Sequence, residues 1–300
     1  SLAFSPRRVR LLEDKIAARA RRLVDDLLER GEGDFVQVVS KQLPSLTFAE
    51  MMGVEEEDRE RLTSLADGMV SWNDPDVLDG RDGLTYLLDV LVGIYAEAAR
   101  LAELRRAEPG EDILSGLVTA EVDGEQLTDE DIAAFLVLLS VAANDTTRQT
   151  ISHGMRALCL FPDQRRLLAS DVERYLPDAV EEMVRWATPV MTFRRTATRD
   201  AVLDGTEISA GDKVAMFYVS ANRDERVFPD PWRLDITREP AHVGFGGGGP
   251  HFCLGASLAR SMLKSMFREL VTRAPTLELG EPRFLIGNFI QGITTMPYRV

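Results

Sequence analysis

The chain has 300 residues, 45% of them hydrophobic, which is ample for one large core or two domains. Its formal net charge of -14 argues against nucleic acid as the general partner. Its two cysteines, Cys159 and Cys253, are too few for a four-cysteine zinc site. Two distant cysteines and no secretory segment are typical of a cytoplasmic protein. The longest apolar run, 132–143, is too short to span a bilayer, so we expect no membrane anchor in these residues.

Helical patterns fill the first two thirds of the chain. They predict helices over 7–30, 34–53, from 55 to about 73, 82–107, 112–119, 128–160, 163–169 and 177–187. A turn is predicted at Asp123-Gly124. Residues 192–220 then favour β-strands, 221–244 are irregular, a helix follows Cys253, and 276–300 again favour strands. The sequence thus predicts a mainly α fold with small β-sheets, of the α+β class.

The longest predicted helix, 128–160, contains an acid beside two β-branched alcohols, Asp145-Thr146-Thr147, which is poor helix chemistry. The Thr146 hydroxyl should bond the carbonyl of Ala142, four residues back, and open the helix locally. The small side chains of Ala142 and Ala143 leave room for a flat ligand on that face. Taken alone, the pattern also fits a buried helix with an ordinary threonine back-bond.

Residues 245–260, FGGGGPHFCLGASLAR, are the most informative stretch of the chain. The glycines at 246–249 allow tight turns, and the apolar spacing from Leu254 onward predicts a helix. Cys253 should therefore lie at a helix N-terminus, where N–H groups and the helix dipole stabilise a thiolate that suits a soft metal or haem iron. Gly255 removes a side chain where a flat cofactor would press against the backbone.

Two other interpretations of the same stretch exist. The cysteine alone fits a buried residue in a glycine-rich turn, because free cysteine is among the most buried residue types. A phosphate-binding glycine loop is disfavoured, because the Lys-Ser/Thr that would follow the glycines is missing.

The stretch resembles the haem-thiolate loop of the cytochrome P450 family, whose pattern is Phe, glycines, a His or Arg two residues before the Cys, and Cys-x-Gly. Phe245 stands eight residues before Cys253, where the commonest form has seven and a subset of bacterial members resembles the longer loop. The resemblance continues at 175–190, 192–200, 221–224 and 228–231 and covers nearly the whole chain. It identifies 1–300 as a single P450 domain, similar to bacterial haem-thiolate monooxygenases that oxidise sterols or branched lipids.

This resemblance implies haem b as the cofactor. The Cys253 thiolate would bind the iron, and Phe245 would cover the sulfur. Arg195 and His251 would hold the haem propionates, because Arg offers a planar fork to a carboxylate. Gly255 would lie against the haem.

The family also implies an oxygen site and a substrate pocket. Asp145 and Thr146 would deliver protons to dioxygen beside Ala142, while Ala143 stands where the family usually has Gly and would narrow the groove. An apolar pocket suits a lipid, terpenoid or steroid, although a plain core uses the same residue types. The pocket would be lined by Val141, Ala142, Val190, Met191, Phe193, Phe289 and Ile290.

Glu182 and Arg185 are three residues apart on one helix face and can pair. In the family, this pair is structural and locks the irregular segment beside the haem loop. The spacing alone is weak evidence, and we expect the other occurrences to be solvated faces. These are Glu56/Arg59, Glu97/Arg100 and Glu103/Arg106.

Electrons must come from a partner, since no flavin or iron–sulfur motif is present. The resemblance implies a ferredoxin with its ferredoxin reductase. Arg260, Lys264 and Arg268 recur every four residues after Cys253 and form a basic stripe on which an acidic ferredoxin could dock. An ordinary solvated face has the same pattern.

Family chains carry a further N-terminal stretch with the first sheet strands and the B and C helices, and Phe4 to Arg8 resembles the end of the C helix. We therefore expect an N-terminally truncated fold, from about the D helix onward, whose haem binding is weak because one pocket wall is open. Two alternatives stay open. One is a catalytically impaired haem- or ligand-binding fragment, and the other is a peroxide-driven haem enzyme that needs no Asp145–Thr146 relay.

Overall fold

The computed structural model describes residues 6–122, 124–239 and 241–300. The predicted turn at Asp123-Gly124 and the N-terminal match from Phe4 each include residues outside these ranges. The α-helices are α1 (Pro6–Arg30), α2 (Gln42–Met52), α3 (Glu56–Ser71), α4 (Pro75–Leu78), α5 (Gly83–Ala107), α6 (Ile113–Val118), α7 (Asp129–Leu160), α8 (Pro162–Ser170), α9 (Val172–Ala187), α10 (Tyr218–Ala221) and α11 (Ala256–Arg273). No helix in these ranges is long and apolar enough to cross a membrane.

The strands are short and mostly follow α9. They are β1 (Glu32–Asp34), β2 (Glu121–Val122), β3 (Glu125–Gln126), β4 (Thr192–Thr196), β5 (Ala201–Leu203), β6 (Thr206–Ile208), β7 (Lys213–Phe217), β8 (Glu278–Leu279), β9 (Arg283–Phe284), β10 (Ile293–Thr295) and β11 (Pro297–Arg299). A three-stranded sheet has the order β1-β11-β8, and the other strands form the antiparallel pairs β2-β3, β4-β7, β5-β6 and β9-β10. The mainly α fold with small sheets is confirmed.

Side-chain caps explain the starts of α4, α5, α6, α7 and α9. The Thr128 hydroxyl accepts from the Asp131 N–H at 3.1 Å, and the Asp131 carboxylate accepts from the Thr128 N–H at 3.0 Å, a reciprocal cap that begins α7. α9 begins at Val172, five residues before the predicted start at Pro177, because the Asp171 carboxylate caps it by accepting from the Arg174 N–H. The predicted helix over 34–53 instead divides into a π-helical turn, Val36–Ser40, and α2.

Two hydrophobic clusters form the core, and α7 passes through both. Its N-terminal half contributes Ile132, Leu136 and Leu139 to the cluster formed with α2, α3, α5 and α6. Its C-terminal half contributes Ile151 and Met155 to the larger cluster with α1, α8, α9, α11 and the C-terminal strands. The segment between the two clusters, 140–150, therefore sits at the middle of the molecule and carries buried polar side chains.

Candidate functional site

The middle of α7 presents an exposed face that carries Ala142 and Thr146. Ala142 is exposed and Thr146 is half-buried. The Thr146 hydroxyl donates to the carbonyl of Ala142 at 2.9 Å, which is the back-bond predicted from the sequence. The helix nevertheless stays α-helical throughout, so the predicted local opening is absent. This face can receive a flat ligand, because a small side chain and a hydroxyl are all that project from it at these two positions.

Ala143 does not share that face. It lines a small cavity with Phe48 of α2 and with Leu258 and Met262 of α11. The expectation that Ala143 narrows the groove beside Ala142 stays a prediction. The same cavity shows that α11, the helix following Cys253, packs against the part of α7 that carries the acid and the alcohol.

Asp145 is fully buried at the start of an ion chain that the sequence did not reveal. Arg148 donates to Asp145 and also to Asp67 of α3, the latter at 2.7 Å, and the Lys41 ammonium lies 2.8 Å from the second Asp67 oxygen. The Oδ2 atom of Asp145 has no hydrogen-bond partner among the described residues. Burial raises the pKa of the Asp145 carboxyl to about 7, while the charge of Arg148 acts in the opposite direction.

Two further side chains of α7 hold the C-terminal segment. Gln149 accepts from the Ile293 N–H at 2.7 Å, and His153 Nε2 lies 3.0 Å from the carbonyl oxygen of Gln291. Burial lowers the pKa of His153 to about 4, so the ring is neutral at pH 7 and donates to that carbonyl. Both side chains fix the segment that carries Phe289 and Ile290.

The predicted substrate-pocket residues form a partly open apolar cluster. The Met191 N–H donates to the Phe289 carbonyl at 2.8 Å, and Val190 pairs with Ile290 as an isolated β-bridge. The rings of Phe193 and Phe289 are exposed, with centroids 5.6 Å apart. Val190 and Met191 are half-buried and Ile290 is buried. The structure thus joins five of the predicted lining residues, while Val141 lies half-buried on α7.

The Cys253 loop is held by one backbone hydrogen bond across its base. The Cys253 N–H donates to the Phe245 carbonyl at 2.9 Å, and Cys253 is exposed. α11 begins at Ala256, so the cysteine stands three residues before the first helical residue. Burial of the thiol among neighbouring atoms raises the pKa of Cys253, although the Gly255 N–H and Arg260 act in the opposite direction.

A cluster of Glu181, His242 and Arg260 supports the loop at Phe245. Arg260 donates from Nε and Nη2 to the two Glu181 oxygens at 2.6 and 2.7 Å, and its guanidinium carbon lies 4.4 Å from the Phe245 ring centre. His242 Nε2 lies 3.2 Å from Glu181 Oε2. Burial acts to raise the pKa of Glu181, but hydrogen bonds from Arg260 and His242 lower it to about 2.

This cluster corrects the predicted basic stripe. Arg260 is engaged with Glu181, and Arg268 forms an exposed ion pair with Glu173 at 2.8 Å. Lys264 is half-buried and forms no ion pair within the described ranges. Only part of the stripe is therefore available as uncompensated positive charge.

Arg195 and His251, the predicted propionate partners, are both exposed. Arg195 lies on β4, where its Nη1 donates to the Arg194 carbonyl at 3.0 Å, and no described carboxylate is within ion-pair distance. His251 ends a short 3-10 turn, Gly249–His251. Both side chains are therefore open to an anionic group.

Glu182 and Arg185 form a fully buried, two-point ion pair, with both N–O distances 2.7 Å. Arg185 also donates to the carbonyls of Asn222 and Pro231, and Glu182 accepts from the Asp235 N–H at 3.0 Å. The pair therefore fixes the irregular segment 221–239 against α9, the structural role expected of it.

The other pairs with this spacing behave differently from one another. Glu97 was expected on a solvated face but is fully buried, and it binds both Arg100 and Arg61. Arg106 pairs with Asp129. The pairs therefore share the same sequence spacing and differ in whether their side chains are buried.

The residues around Cys253 fit haem b. Gly255 has φ -87°, which any residue can adopt, and a Cβ added there would meet no described atom within 4 Å. Neither backbone strain nor packing among the described residues explains a glycine, so open space lies at Gly255, two residues after the cysteine. Phe252 and Leu254 on either side are exposed apolar side chains. A soft sulfur donor, an open apolar surface and two unpaired cationic or imidazole side chains match an iron porphyrin with two propionates.

Comparisons with known proteins agree with this fit. A family model described as Cytochrome P450 matches residues 97–273. The chain is 44% identical over 302 residues to a methyl-branched lipid omega-hydroxylase of Mycobacterium tuberculosis, covering 99% of this chain and 70% of that protein. It is 40% identical over 295 residues to a steroid C26-monooxygenase of Mycolicibacterium smegmatis, covering 98% of this chain and 67% of that protein.

Solved structures give the same result. A Mycobacterium marinum cytochrome P450 in complex with pseudoionone is 52% identical and superposes with a TM-score of 0.97, covering 100% of this chain and 73% of that chain. A Bacillus megaterium protein in complex with testosterone is 32% identical with a TM-score of 0.85, covering 99% of this chain and 81% of that chain.

Proposed function

The chain belongs to the cytochrome P450 family of haem-thiolate monooxygenases, and we propose that residues 1–300 form one domain that directs oxygen insertion into a C–H bond of an apolar substrate. Haem b, when bound, supplies the activation of dioxygen, which no side chain can perform. The single domain is supported by α7, which belongs to both hydrophobic clusters. The protein's contribution is to bind, orient and protonate.

Five residues would hold the haem. Cys253 would bind the iron, and the Phe245 carbonyl fixes the cysteine through the backbone hydrogen bond at the base of the loop. Arg195 and His251 would bind the two propionates from their exposed positions on β4 and on the short turn before the cysteine. Gly255 leaves space for the porphyrin face.

Asp145 and Thr146 would hold and move protons on α7, next to Ala142. The Thr146 hydroxyl uses its hydrogen for the Ala142 carbonyl, which leaves its oxygen lone pairs available to accept a hydrogen bond. A pKa near 7 lets Asp145 both bind and release a proton at neutral pH. Because Arg148 holds one of its oxygens, the unpartnered Oδ2 is the atom available for transfer.

The substrate is proposed to be a lipid, steroid or terpenoid. Met191, Phe193 and Phe289 offer only apolar surface, which provides no charge to balance a substrate charge. Relatives named for a methyl-branched lipid and for a steroid support the same class. Such a pocket positions an unactivated C–H bond by shape and by exclusion of water.

Electrons are proposed to come from a ferredoxin and its ferredoxin reductase. The docking surface would centre on Lys264, on the face of α11 that follows Cys253, because an acidic partner is attracted by positive charge on an otherwise acidic protein. Arg268 would contribute less, since it is paired with Glu173. Arg260 contributes less charge than predicted, since Glu181 neutralises it.

The single observation that carries the proposal is the exposed Cys253 beside the open space at Gly255. The test reconstitutes the unmodified chain and its Cys253→Ser variant with haem. It then compares the absorption spectra of the two reduced proteins after carbon monoxide is added. A thiolate-type red shift that Cys253→Ser abolishes is expected. Haem binding that survives the substitution with an unchanged spectrum would overturn the assignment of the ligand.

Turnover separates the remaining alternatives. Product formed from a branched fatty acid or a sterol with the ferredoxin system and O2 supports the monooxygenase. Product formed with peroxide alone, unaffected by Thr146→Ala, would instead indicate a peroxide-driven enzyme. Haem binding without turnover under either condition would indicate an impaired fragment.

A further inference from the structure

A second cavity lies on another part of the molecule, between α1, α2 and the beginning of α3. It is an open cleft of about 500 Å³, within the size range of small-molecule sites. None of its lining residues belongs to the Cys253 site. They are Arg19, Arg22, Leu23, Gln42, Leu46, Ala49, Glu50, Val54 and Arg59.

The cleft is positively charged in a protein whose net charge is -14. Three arginines line it, and Glu50 is the one carboxylate among its lining residues. Glu50 is already satisfied, because Lys15 binds one of its oxygens at 2.5 Å and Arg19 binds the other. Arg22 and Arg59 form no ion pair with the described side chains.

Two buried guanidinium nitrogens in the cleft have no hydrogen-bond partner among the described residues. Nη1 of Arg19 and Nε of Arg59 are buried, and neither donates to a described acceptor. Arg59 is oriented by Gln42, which accepts from its Nη1 at 3.4 Å. Buried donors of this kind are normally paired, and each unmade bond is costly, so an acceptor brought by a ligand would stabilise the cleft.

The remaining lining is aliphatic. Leu23, Leu46 and Val54 give the cleft an apolar side next to the arginines. We propose that the cleft binds an amphiphilic anion, in which a carboxylate or phosphate head pairs with Arg22 and Arg59 and a short alkyl chain lies on the aliphatic side. This site requires neither haem nor the monooxygenase reaction.

The test titrates the protein by calorimetry with octanoate, octyl phosphate, octanol and inorganic phosphate. At least one of the two amphiphilic anions is expected to bind, and the tighter one identifies the head group. Octanol and inorganic phosphate are each expected to bind about tenfold more weakly or not at all, because each lacks one half of the recognition. Equal affinity for octanol would overturn the role of the arginines, and equal affinity for phosphate would overturn the role of the alkyl chain.

Variants locate the binding. The double variant Arg22→Gln/Arg59→Gln is expected to lose about tenfold or more in affinity for the anion. Arg10→Gln is the matched control, because Arg10 is exposed on the same helix but does not line the cleft, and it should bind as the unmodified chain does. Unchanged affinity in the double variant, or no binding of either anion to the unmodified chain, would overturn the proposal.

Discussion

The guanidinium carbon of Arg260 lies 4.4 Å from the centre of the Phe245 ring, while two of its nitrogens donate to Glu181. The Phe245 carbonyl in turn accepts from the Cys253 N–H. An ion pair between α9 and α11 thus acts, through an aromatic ring, on the backbone that presents the sulfur. We therefore expect Arg260 to position the loop, because it contacts both Glu181 and the Phe245 ring.

The first prediction concerns this support. Arg260→Ala is expected to lower the free energy of unfolding by about 1–3 kcal/mol, because it removes a two-point hydrogen bond and a cation–π contact and leaves Glu181 without its main cation. Urea unfolding of the haem-free chain measures it. Lys264→Ala, one turn further along α11, is the control and should change stability by less than about 0.5 kcal/mol. Equal effects of the two substitutions would contradict the positioning role.

The second prediction concerns docking of the electron donor. Lys264→Glu is expected to slow reduction of the haem by an acidic ferredoxin, and the difference should shrink as salt is added, because screening weakens attraction between exposed charges. Stopped-flow reduction at several ionic strengths measures it. Lys213→Glu on β7 is the control for net charge. If both variants slow reduction equally, α11 is not the docking face.

The third prediction concerns the buried pair of α9. Glu182→Gln is expected to cost about 3–5 kcal/mol of stability, because Arg185 would remain buried without a carboxylate. Denaturant unfolding checks this value. Glu103→Gln has the same sequence spacing to an arginine but an exposed side chain, and it should be nearly neutral. A neutral Glu182→Gln would mean that the segment 221–239 does not depend on the pair.

Sequence patterns predicted the contacts between residues that are close together in the sequence. The reciprocal cap at Thr128, the back-bond of Thr146 and the Glu182–Arg185 pair all join residues within four positions. Periodicity likewise placed α1, α5 and α7 within about two residues of their observed bounds.

The contacts that the sequence did not predict join residues far apart in the chain. Arg148 meets Asp67 across 81 positions, Arg260 meets Glu181 across 79, and His153 meets Gln291 across 138. No local pattern carries such contacts, because which helix faces another is settled only when the core forms. Arg148 follows Asp145 by three positions, and that spacing was the one available signal for part of the α7 ion chain.

The fourth prediction concerns Asp145 and pH. Its pKa is raised in the fold, mainly by burial, from 3.8 to about 7. Such an acid contributes stability at low pH that is lost as the pH rises through the folded value. The free energy of unfolding of the unmodified chain, minus that of Asp145→Asn, should therefore fall between about pH 4 and pH 7. Asp131→Asn is the control, since hydrogen bonds from Thr128 lower the pKa of Asp131. The free energy of unfolding of the unmodified chain, minus that of Asp131→Asn, should therefore stay level from about pH 5 to pH 7.

The fifth prediction concerns His153. Its contribution to the free energy of unfolding should change with pH in the opposite direction to that of Asp145, over an overlapping pH range. Burial lowers its pKa from 6.5 to about 4, so its contribution to stability is complete above pH 6.5 and is lost as the pH falls toward 4. The difference between the unmodified chain and His153→Gln should therefore decrease on acidification, while the difference for Asp145→Asn increases. Chemical unfolding at pH 4.5, 5.5 and 6.5, roughly spanning both transitions, measures the two slopes. Slopes of the same sign would show that one of these side chains is not buried as the structure describes.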